Sequence, residues 1–266
     1  MPFVDLETFE TLLVLVTGAM VGSFLNVVIH RVPLGESVVS PRSRCPHCRH
    51  EISWWENIPV LSWMLLRGRC RGCGAAISFR YVLVEVLAAL LAGLLFSRMG
   101  PSGEFLFFTY FSLNLLALIY IDLDHQLLPD RLTLSGLLIG LMGAPLVSPD
   151  GLLAGFVFAL MGVLVGGGLL FGVAWGYEKA TGRQGMGGGD IKLLAMIGAF
   201  LGWEGALLSL FIGSLAGSVI GVALMVFRGA DGRLALPFGP FLAIGAYGTL
   251  FWGPQLLEWY FGSLRL

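Results

Sequence analysis

Long runs of apolar residues constrain this chain more than any other feature of its sequence. Of its 266 residues, 56% are hydrophobic and only 12% are charged, whereas a soluble domain carries about 25% charged residues. Several runs approach or exceed the roughly 20 residues that a helix needs to cross a bilayer. The sequence therefore predicts an all-α polytopic membrane protein with about eight transmembrane helices. The runs cover approximately residues 11–29, 81–96, 105–121, 132–147, 152–175, 191–201, 206–227 and 238–252. By its length the run at 191–201 can be re-entrant instead, but we count it as a span.

The basic residues predict the orientation of these spans. Eight of the 16 Lys and Arg residues lie between Arg31 and Arg80, and loops rich in Lys and Arg stay in the cytoplasm. We therefore expect a periplasmic N-terminus and a cytoplasmic segment at 31–80. Eight alternating spans also place 122–131, 177–190 and 228–233 in the cytoplasm, whereas seven spans would move Arg228 and Arg233 outside.

The hydrophilic segment is too small to fold around a hydrophobic core without a cross-link or a bound metal ion. Its four cysteines can provide either. Cys45, Cys48, Cys70 and Cys73 form two CxxC pairs separated by 21 residues. This spacing is typical of a tetrahedral four-thiolate zinc site. A pair of disulfides is the alternative, but structural disulfides are rare in the cytoplasm. His47 and His50 are alternative ligands, although four thiolates already complete the tetrahedron.

Two aspartates stand where an apolar run meets the predicted cytoplasmic interface. Asp122 follows the run that ends Leu-Ile-Tyr-Ile, and Asp190 follows the glycine run GMGGG. Charged groups at membrane depth are costly and are usually functional. Two carboxylates brought together in a partly dry site share one proton, so that one acts as a base and the other as an acid. This pair is the chemistry of aspartic proteases, in which the base activates a water and the acid protonates the substrate.

Each aspartate on its own has a structural alternative. Asp190 can be the N-cap of the following helix, Asp130 can cap the helix that starts near Leu132, and Asp122 can be an interfacial carboxylate. Gly187 and Gly189 can adopt a positive φ and let backbone or substrate approach closely, or they can simply form a turn. The joint occurrence of the motifs on one side of the bilayer favours the catalytic interpretation.

The motifs together resemble one known family. IDLDHQLLPD at 121–130 is similar to the first aspartate motif of the bacterial type IV prepilin leader peptidases, and GGGD at 187–190 is similar to their GxGD motif. GSFLNVVIHRVP at 22–33, the two CxxC pairs, ISWWENIPVLSW at 52–63 and SFRYVLVE at 78–85 resemble the bifunctional peptidase/N-methyltransferase members. The resemblance covers nearly the whole chain in the right order.

The resemblance implies a function and a division of the chain. Residues 1–30 would form the first transmembrane helix, 31–80 a zinc-binding loop domain associated with methyl transfer, and 81–266 the GxGD aspartic peptidase domain. Asp122 and Asp190 would be the catalytic pair, with Asp124 as the runner-up to Asp122, and Gly187 and Gly189 would belong to the active-site loop. The substrates would be precursors of type IV pilins or type II secretion pseudopilins, cleaved after a glycine at the end of a basic leader.

The family also N-methylates the newly exposed residue with S-adenosylmethionine. The sequence has no glycine-rich Rossmann fingerprint, so no soluble methyltransferase fold is expected. By resemblance the candidates near this chemistry are Gly22, Asn26, Arg31, Glu56 and Asn57. Helix packing for Gly22 and Asn26 and interfacial anchoring for Arg31 are the structural alternatives.

Other classes of function fit less well. A transporter or assembly scaffold also uses intramembrane carboxylates and glycine-rich helices, but the sequence shows no internal repeat and a four-cysteine loop has no evident role in transport. A peptidase that has lost methylation and a presenilin-like protease with another substrate remain open. We expect partners in the lipid bilayer and among prepilins, and no nucleic acid.

Overall fold

A computed structural model describes residues 6–183, 185–228 and 236–263. Within these residues the regular structure is helical, apart from two isolated bridges that join Arg44 to Glu51 and Arg69 to Ala76. The predicted all-α class is therefore confirmed. The helices are α1 (Leu6–Arg31), α2 (Leu61–Leu65), α3 (Arg80–Met99), α4 (Gly103–His125), α5 (Asp130–Val147), α6 (Leu152–Thr181), α7 (Gly188–Arg228) and α8 (Gly239–Ser263), with a 3₁₀ turn at Trp54–Asn57.

In the described residues, six helices are long and apolar enough to cross a membrane, namely α1, α3, α4, α5, α6 and α7. The predicted runs at 191–201 and 206–227 both fall in α7. Gly202 interrupts this helix with φ 71° and ψ −177°, a conformation that glycine tolerates because it lacks a Cβ atom. The last predicted run, 238–252, falls in α8, which is not among the six. The predicted loop at 228–233, with Arg233, lies almost wholly outside the described residues.

The chain divides into two compact units, residues 1–117 and 118–266. In the first unit α1 packs directly on α3. A Cβ atom placed on Gly22 would lie 2.7 Å from the Glu85 Cα and 2.9 Å from the Ala88 Cβ, so the two backbones approach as closely as small residues permit. The segment between α1 and α3 contains the 3₁₀ turn, α2 and the cysteines.

In the second unit, small residues let the helices cross closely. A Cβ atom on Gly162 of α6 would lie 1.9 Å from the Gly198 carbonyl oxygen of α7, and one on Gly245 of α8 would lie 2.0 Å from the Ser209 carbonyl oxygen of α7. The buried hydroxyl of Ser209 also donates to Thr249 of α8 at 3.1 Å. These crossings fix α6, α7 and α8 against one another. The three-part division at residues 30 and 80 stays a prediction.

Candidate functional site

A cavity of about 610 Å³ lies in the second unit, and both predicted catalytic aspartates line it. Its wall also includes the glycine segment that precedes α7 and the residues that join α4 to α5. The lining residues are Asp122, Gln126, Leu127, Leu128, Asp130, Gly185, Met186, Gly187, Gly188, Gly189, Asp190, Lys192, Leu236, Pro237 and Phe238. Residues more than 60 positions apart in the sequence therefore meet around one space.

Asp122 stands in the last turn of α4, and its side chain points to the start of another helix. The residue is only 5% exposed, and its Oδ2 accepts a hydrogen bond of 3.0 Å from the backbone N–H of Gly239. Gly239 is the first residue of α8, where free N–H groups and the helix dipole favour a negative charge. A Cβ atom on Gly239 would lie 2.6 Å from that oxygen, so only glycine fits there without a rearrangement.

Asp190 is the third residue of α7, and its N–H donates to the Gly187 carbonyl oxygen at 3.2 Å. It therefore lies inside the first helical turn instead of forming the N-cap. Its carboxyl group interacts electrostatically with that of Asp122. Asp124, the alternative partner, is exposed and is not among the residues that line the cavity. The geometry thus brings Asp122 and Asp190 together and leaves Asp124 outside.

The two glycines of the predicted active-site loop have different surroundings, and neither adopts a positive φ. A Cβ atom on Gly189 would lie 2.9 Å from the Leu128 Cβ, whereas one on Gly187 would have no neighbour within 4 Å. Leu128 is 7% exposed and belongs to the segment that joins α4 to α5. Glycine is therefore needed at 189 for close packing beside Asp190. The positive φ that the sequence analysis allowed for this residue is not observed.

This difference predicts different outcomes for two alanine variants. For the peptide cleavage and the catalytic role of Asp190 that the motifs predict, we expect Gly189→Ala to lower the rate by about 10-fold or more, because Leu128 and the start of α7 must move apart and displacing a reacting group by about 1 Å is costly. Gly187→Ala, in which the added Cβ meets no protein atom within 4 Å, should lose much less activity. Both variants can be compared as initial cleavage rates at equal protein amounts. Equal loss in the two variants would contradict the packing explanation.

Lys192, which the sequence analysis did not single out, adds a cation to the cavity wall. Its Nζ lies 2.5 Å from the Asp130 Oδ1, and both residues line the cavity. Asp130 is the first residue of α5, with Pro129 in the N-cap position, so it does not cap a helix that starts near Leu132. A lone lysine in the apolar run after Asp190 was the available signal, because charges in such runs are costly.

The four cysteines converge in the first unit. Their Sγ atoms all lie within 4.8 Å of one another, and the pairs Cys45–Cys73 and Cys48–Cys70 are each separated by 3.9 Å. All four thiols are free, and these distances are far longer than the roughly 2 Å of a disulfide bond. A tetrahedron with metal–sulfur bonds of about 2.3 Å has sulfur–sulfur edges of about 3.8 Å. The cluster therefore has the dimensions of a four-thiolate metal site.

The pKa values of two of the thiols reflect how close together the four sulfur atoms lie. Backbone N–H groups of Cys48 and His47 donate to the Cys45 sulfur and lower its pKa to about 6. The His50 backbone N–H favours the Cys48 thiolate, but local desolvation and hydrogen bonds with the neighbouring thiols raise the pKa of Cys48 to about 12. Thiolates so close together repel one another, and a bound dication removes that repulsion. The alternative histidine ligands do not join the cluster within the described residues.

His50 instead contacts Glu56, one of the methyl-transfer candidates. Its Nε2 lies 3.2 Å from the Glu56 Oε2, and the same oxygen accepts the Ser53 N–H at 2.8 Å. The Glu56 side chain is only 4% exposed. The hydrogen bond from the Ser53 N–H lowers the pKa of Glu56 below its usual value, and the contact with His50 lowers it further. Glu56 thus completes the capping box of the 3₁₀ turn, whose last residue is Asn57.

The remaining methyl-transfer candidates make structural contacts in the same unit. The Asn26 Nδ2 donates to the Tyr81 carbonyl oxygen at 3.1 Å, and the Arg31 guanidinium donates to the Ser37 carbonyl oxygen at 2.9 Å. Gly22 packs on α3, as described above. These contacts tie α1 to the start of α3 and to the segment after α1. A role for these residues in methyl transfer stays a prediction.

Comparison with known proteins identifies the family. The bacterial peptidase A24 N-terminal domain matches residues 16–99, and the type IV leader peptidase family matches residues 109–222. No solved structure gives a significant match. Curated relatives named prepilin leader peptidase/N-methyltransferase occur in several species. The one from Stutzerimonas stutzeri is 42% identical over 95% of this chain and 94% of the relative, and the one from Aeromonas hydrophila is 42% identical over 93% of this chain and 92% of the relative. A third, from Pseudomonas aeruginosa, is 42% identical over 91% of this chain and 90% of the relative.

The chain belongs to the type IV leader peptidase family, as its motifs predicted. Within that family its similarity extends over nearly the full length of the bifunctional prepilin leader peptidase/N-methyltransferases. Family membership and the six candidate spans make it a multi-pass inner-membrane protein.

Proposed function

We propose that the chain cleaves the leader peptides of prepilins, with Asp122 and Asp190 as the catalytic pair. The observation that carries this assignment is the common cavity that both carboxylates line. One carboxylate, ionised, accepts a proton from a water that attacks the scissile carbonyl carbon. The other, protonated, donates to the carbonyl oxygen, and later a proton passes to the leaving amine. The Gly239 N–H donates to the Asp122 Oδ2 and so helps to orient this carboxyl group in the cavity.

The substrate class follows from family membership and from the chemistry of the cavity. Its wall combines apolar side chains such as Leu127 and Phe238 with three carboxylates and one lysine. An extended peptide with a basic leader and an apolar helix matches this lining, because the leader meets the carboxylates while the helix stays in the bilayer. We propose type IV prepilins and type II secretion pseudopilins as the substrates, cleaved after a glycine.

We also propose that the chain methylates the new N-terminal residue, with S-adenosylmethionine as the methyl donor. Methyl transfer requires a deprotonated amine aligned with the sulfonium methyl carbon, which positioning and desolvation can supply. Candidate residues are Gly22, Asn26, Arg31, Glu56 and Asn57, which all belong to the first unit. We propose zinc as the ion held by Cys45, Cys48, Cys70 and Cys73, since tetrahedral thiolate sites favour it. Its role is to fold the 31–80 segment.

The proposed orientation has the N-terminus in the periplasm and both activities at the cytoplasmic face. The basic residues between Arg31 and Arg80 support it, because this segment joins α1 to α3 and must lie on one side of the bilayer. The cytoplasm also provides the reducing environment in which free thiols persist.

A direct assay tests both activities. Membranes that contain the chain are incubated with a prepilin that carries a Gly-Phe junction, with and without S-adenosylmethionine, and product masses are measured. We expect cleavage after the glycine under both conditions and a mass increase of one methyl group only with the donor. An intact precursor would refute the peptidase assignment, and cleavage without methylation would refute the second activity.

A further inference from the structure

We propose that Glu85 is a positioning residue for methyl transfer, because its buried carboxylate holds a strained turn of the 31–80 segment against the membrane helices. The inference rests on the proposed methyltransferase function of this segment. It assigns to Glu85 a role separate from peptide cleavage. Three observations carry it, namely the strain of the turn, the burial of the carboxylate and the position of the turn next to the 3₁₀ turn that carries Glu56 and Asn57.

The strain lies at Val60, the middle residue of a three-residue turn. Val60 has φ 62° and ψ −53°, and the Leu61 N–H donates to the Pro59 carbonyl oxygen at 2.6 Å. This combination is a γ-turn with positive φ, which is rare and strained. A β-branched side chain makes positive φ still less favourable. Such backbone conformations persist only where the surroundings enforce them, and they cluster at functional sites.

Glu85 provides the enforcing contact from α3. Its Oε2 accepts the Val60 N–H at 2.8 Å, and Glu85 is only 8% exposed. The Ser23 hydroxyl of α1 also hydrogen-bonds the carboxylate. One buried side chain therefore joins α1, α3 and the strained turn. A buried carboxylate is costly unless it is hydrogen-bonded, so these bonds account for its presence in an apolar helix.

The turn closely follows the 3₁₀ turn that carries two of the methyl-transfer candidates. The 3₁₀ turn Trp54–Asn57, with Glu56 and Asn57, precedes it, and α2 follows it directly. Because Val60 is held against α3, the position of the neighbouring 3₁₀ turn relative to α3 is held as well. Methyl transfer needs alignment of a donor and an amine, and a displacement of about 1 Å can cost about 100-fold in rate. Glu85 has no place in the cavity that Asp122 and Asp190 line.

Two substitutions at position 85 separate positioning from a charge effect. In Glu85→Ala the Val60 N–H loses its acceptor, and we expect methylation to fall by about 100-fold while leader cleavage stays near the wild-type rate. In Glu85→Gln the amide oxygen can still accept the Val60 N–H, and methylation should remain close to wild type. A residue needed for its charge would lose methylation equally in both variants.

A third substitution tests the strain itself. Glycine adopts positive φ without strain, so Val60→Gly should keep the turn in place without help from Glu85. We expect Val60→Gly combined with Glu85→Ala to recover most of the methylation that Glu85→Ala loses, a non-additive result in a double-mutant cycle. All variants are assayed with one prepilin by product mass, so that cleavage and methylation are read from the same sample.

The results separate this inference from the function on which it rests. Loss of methylation with intact cleavage in Glu85→Ala, retention in Glu85→Gln and recovery by Val60→Gly would support it. Equal loss of cleavage and methylation, equal defects in the Ala and Gln variants, or no recovery by Val60→Gly would each overturn it while wild-type methylation stands. A wild-type chain that cleaves but transfers no methyl group would overturn the proposed methyltransferase function and this inference with it.

Discussion

Replacement of Asp122 or Asp190 by asparagine is expected to lower leader cleavage by at least about 10³-fold, because each removes one half of the acid–base pair. Asparagine keeps the shape of the side chain but can neither take a proton from water nor deliver one to the peptide. The effects should not add, since the two carboxylates act as a unit. The measurement is the initial rate of product formation from a Gly-Phe prepilin, at matched amounts of membrane-inserted protein.

Asp124→Asn is the matched control for this prediction. Asp124 stands on the same helix two residues after Asp122, but it is exposed and does not line the cavity. We expect it to cleave at nearly the wild-type rate. A severe defect in Asp124→Asn together with activity in Asp122→Asn would reverse the assignment. Methylation of a precleaved pilin should survive in both catalytic variants, because the candidate methyl-transfer residues lie elsewhere in the chain.

Loss of one thiolate is expected to be the second large effect. In Cys45→Ser the cluster keeps three sulfur ligands. Zinc affinity should fall by more than about 100-fold, because mutating residues that only support the ligands already lowers metal affinity by about 10- to 100-fold. Metal binding and folding of a small segment are coupled, so the 31–80 segment should unfold. We therefore expect methylation to fall much more than cleavage. Zinc content of the purified chain and the two activities measure this directly.

His47→Ala is the control for the cluster. His47 lies between Cys45 and Cys48 but is not part of the group of converging ligand atoms. The variant should retain about one zinc ion per chain, as expected of a four-thiolate site. Zinc loss in His47→Ala equal to that in Cys45→Ser would contradict the four-thiolate assignment. Equal loss of cleavage and methylation in Cys45→Ser would contradict the separation of the two activities.

Features of the sequence that depend on composition and local pattern were predictable. Apolar runs marked most of the helices, and the spacing of two CxxC pairs was enough to predict that four thiols would converge. The runs at 191–201 and 206–227 were predicted as separate spans, and the helical backbone breaks between them at Gly202, with φ 71° and ψ −177°. Hydrophobicity does not locate this break, because a single glycine does not indicate whether a helix stops there.

Features that depend on tertiary contacts were not predictable. The Asp122 carboxylate is held by the Gly239 N–H, 117 residues later in the chain, and nothing near either residue encodes that contact. Lys192 pairs with Asp130 across 62 positions. The sequence shows Glu85 as a charge within an apolar run, but its partner Val60 is a backbone group in an irregular segment, which no residue pattern marks.

Asp122 and Asp190 line one cavity, and cross-linking of a cysteine pair tests this placement most directly. Cysteines placed at 122 and 190 are treated in membranes with a short thiol-reactive linker, and linked peptides are identified by mass, which separates them from the four native cysteines. A second pair at 124 and 190 is the control. We predict efficient linkage of 122 to 190 and little of 124 to 190. Absence of the 122–190 product, or equal yields from the two pairs, would contradict the account.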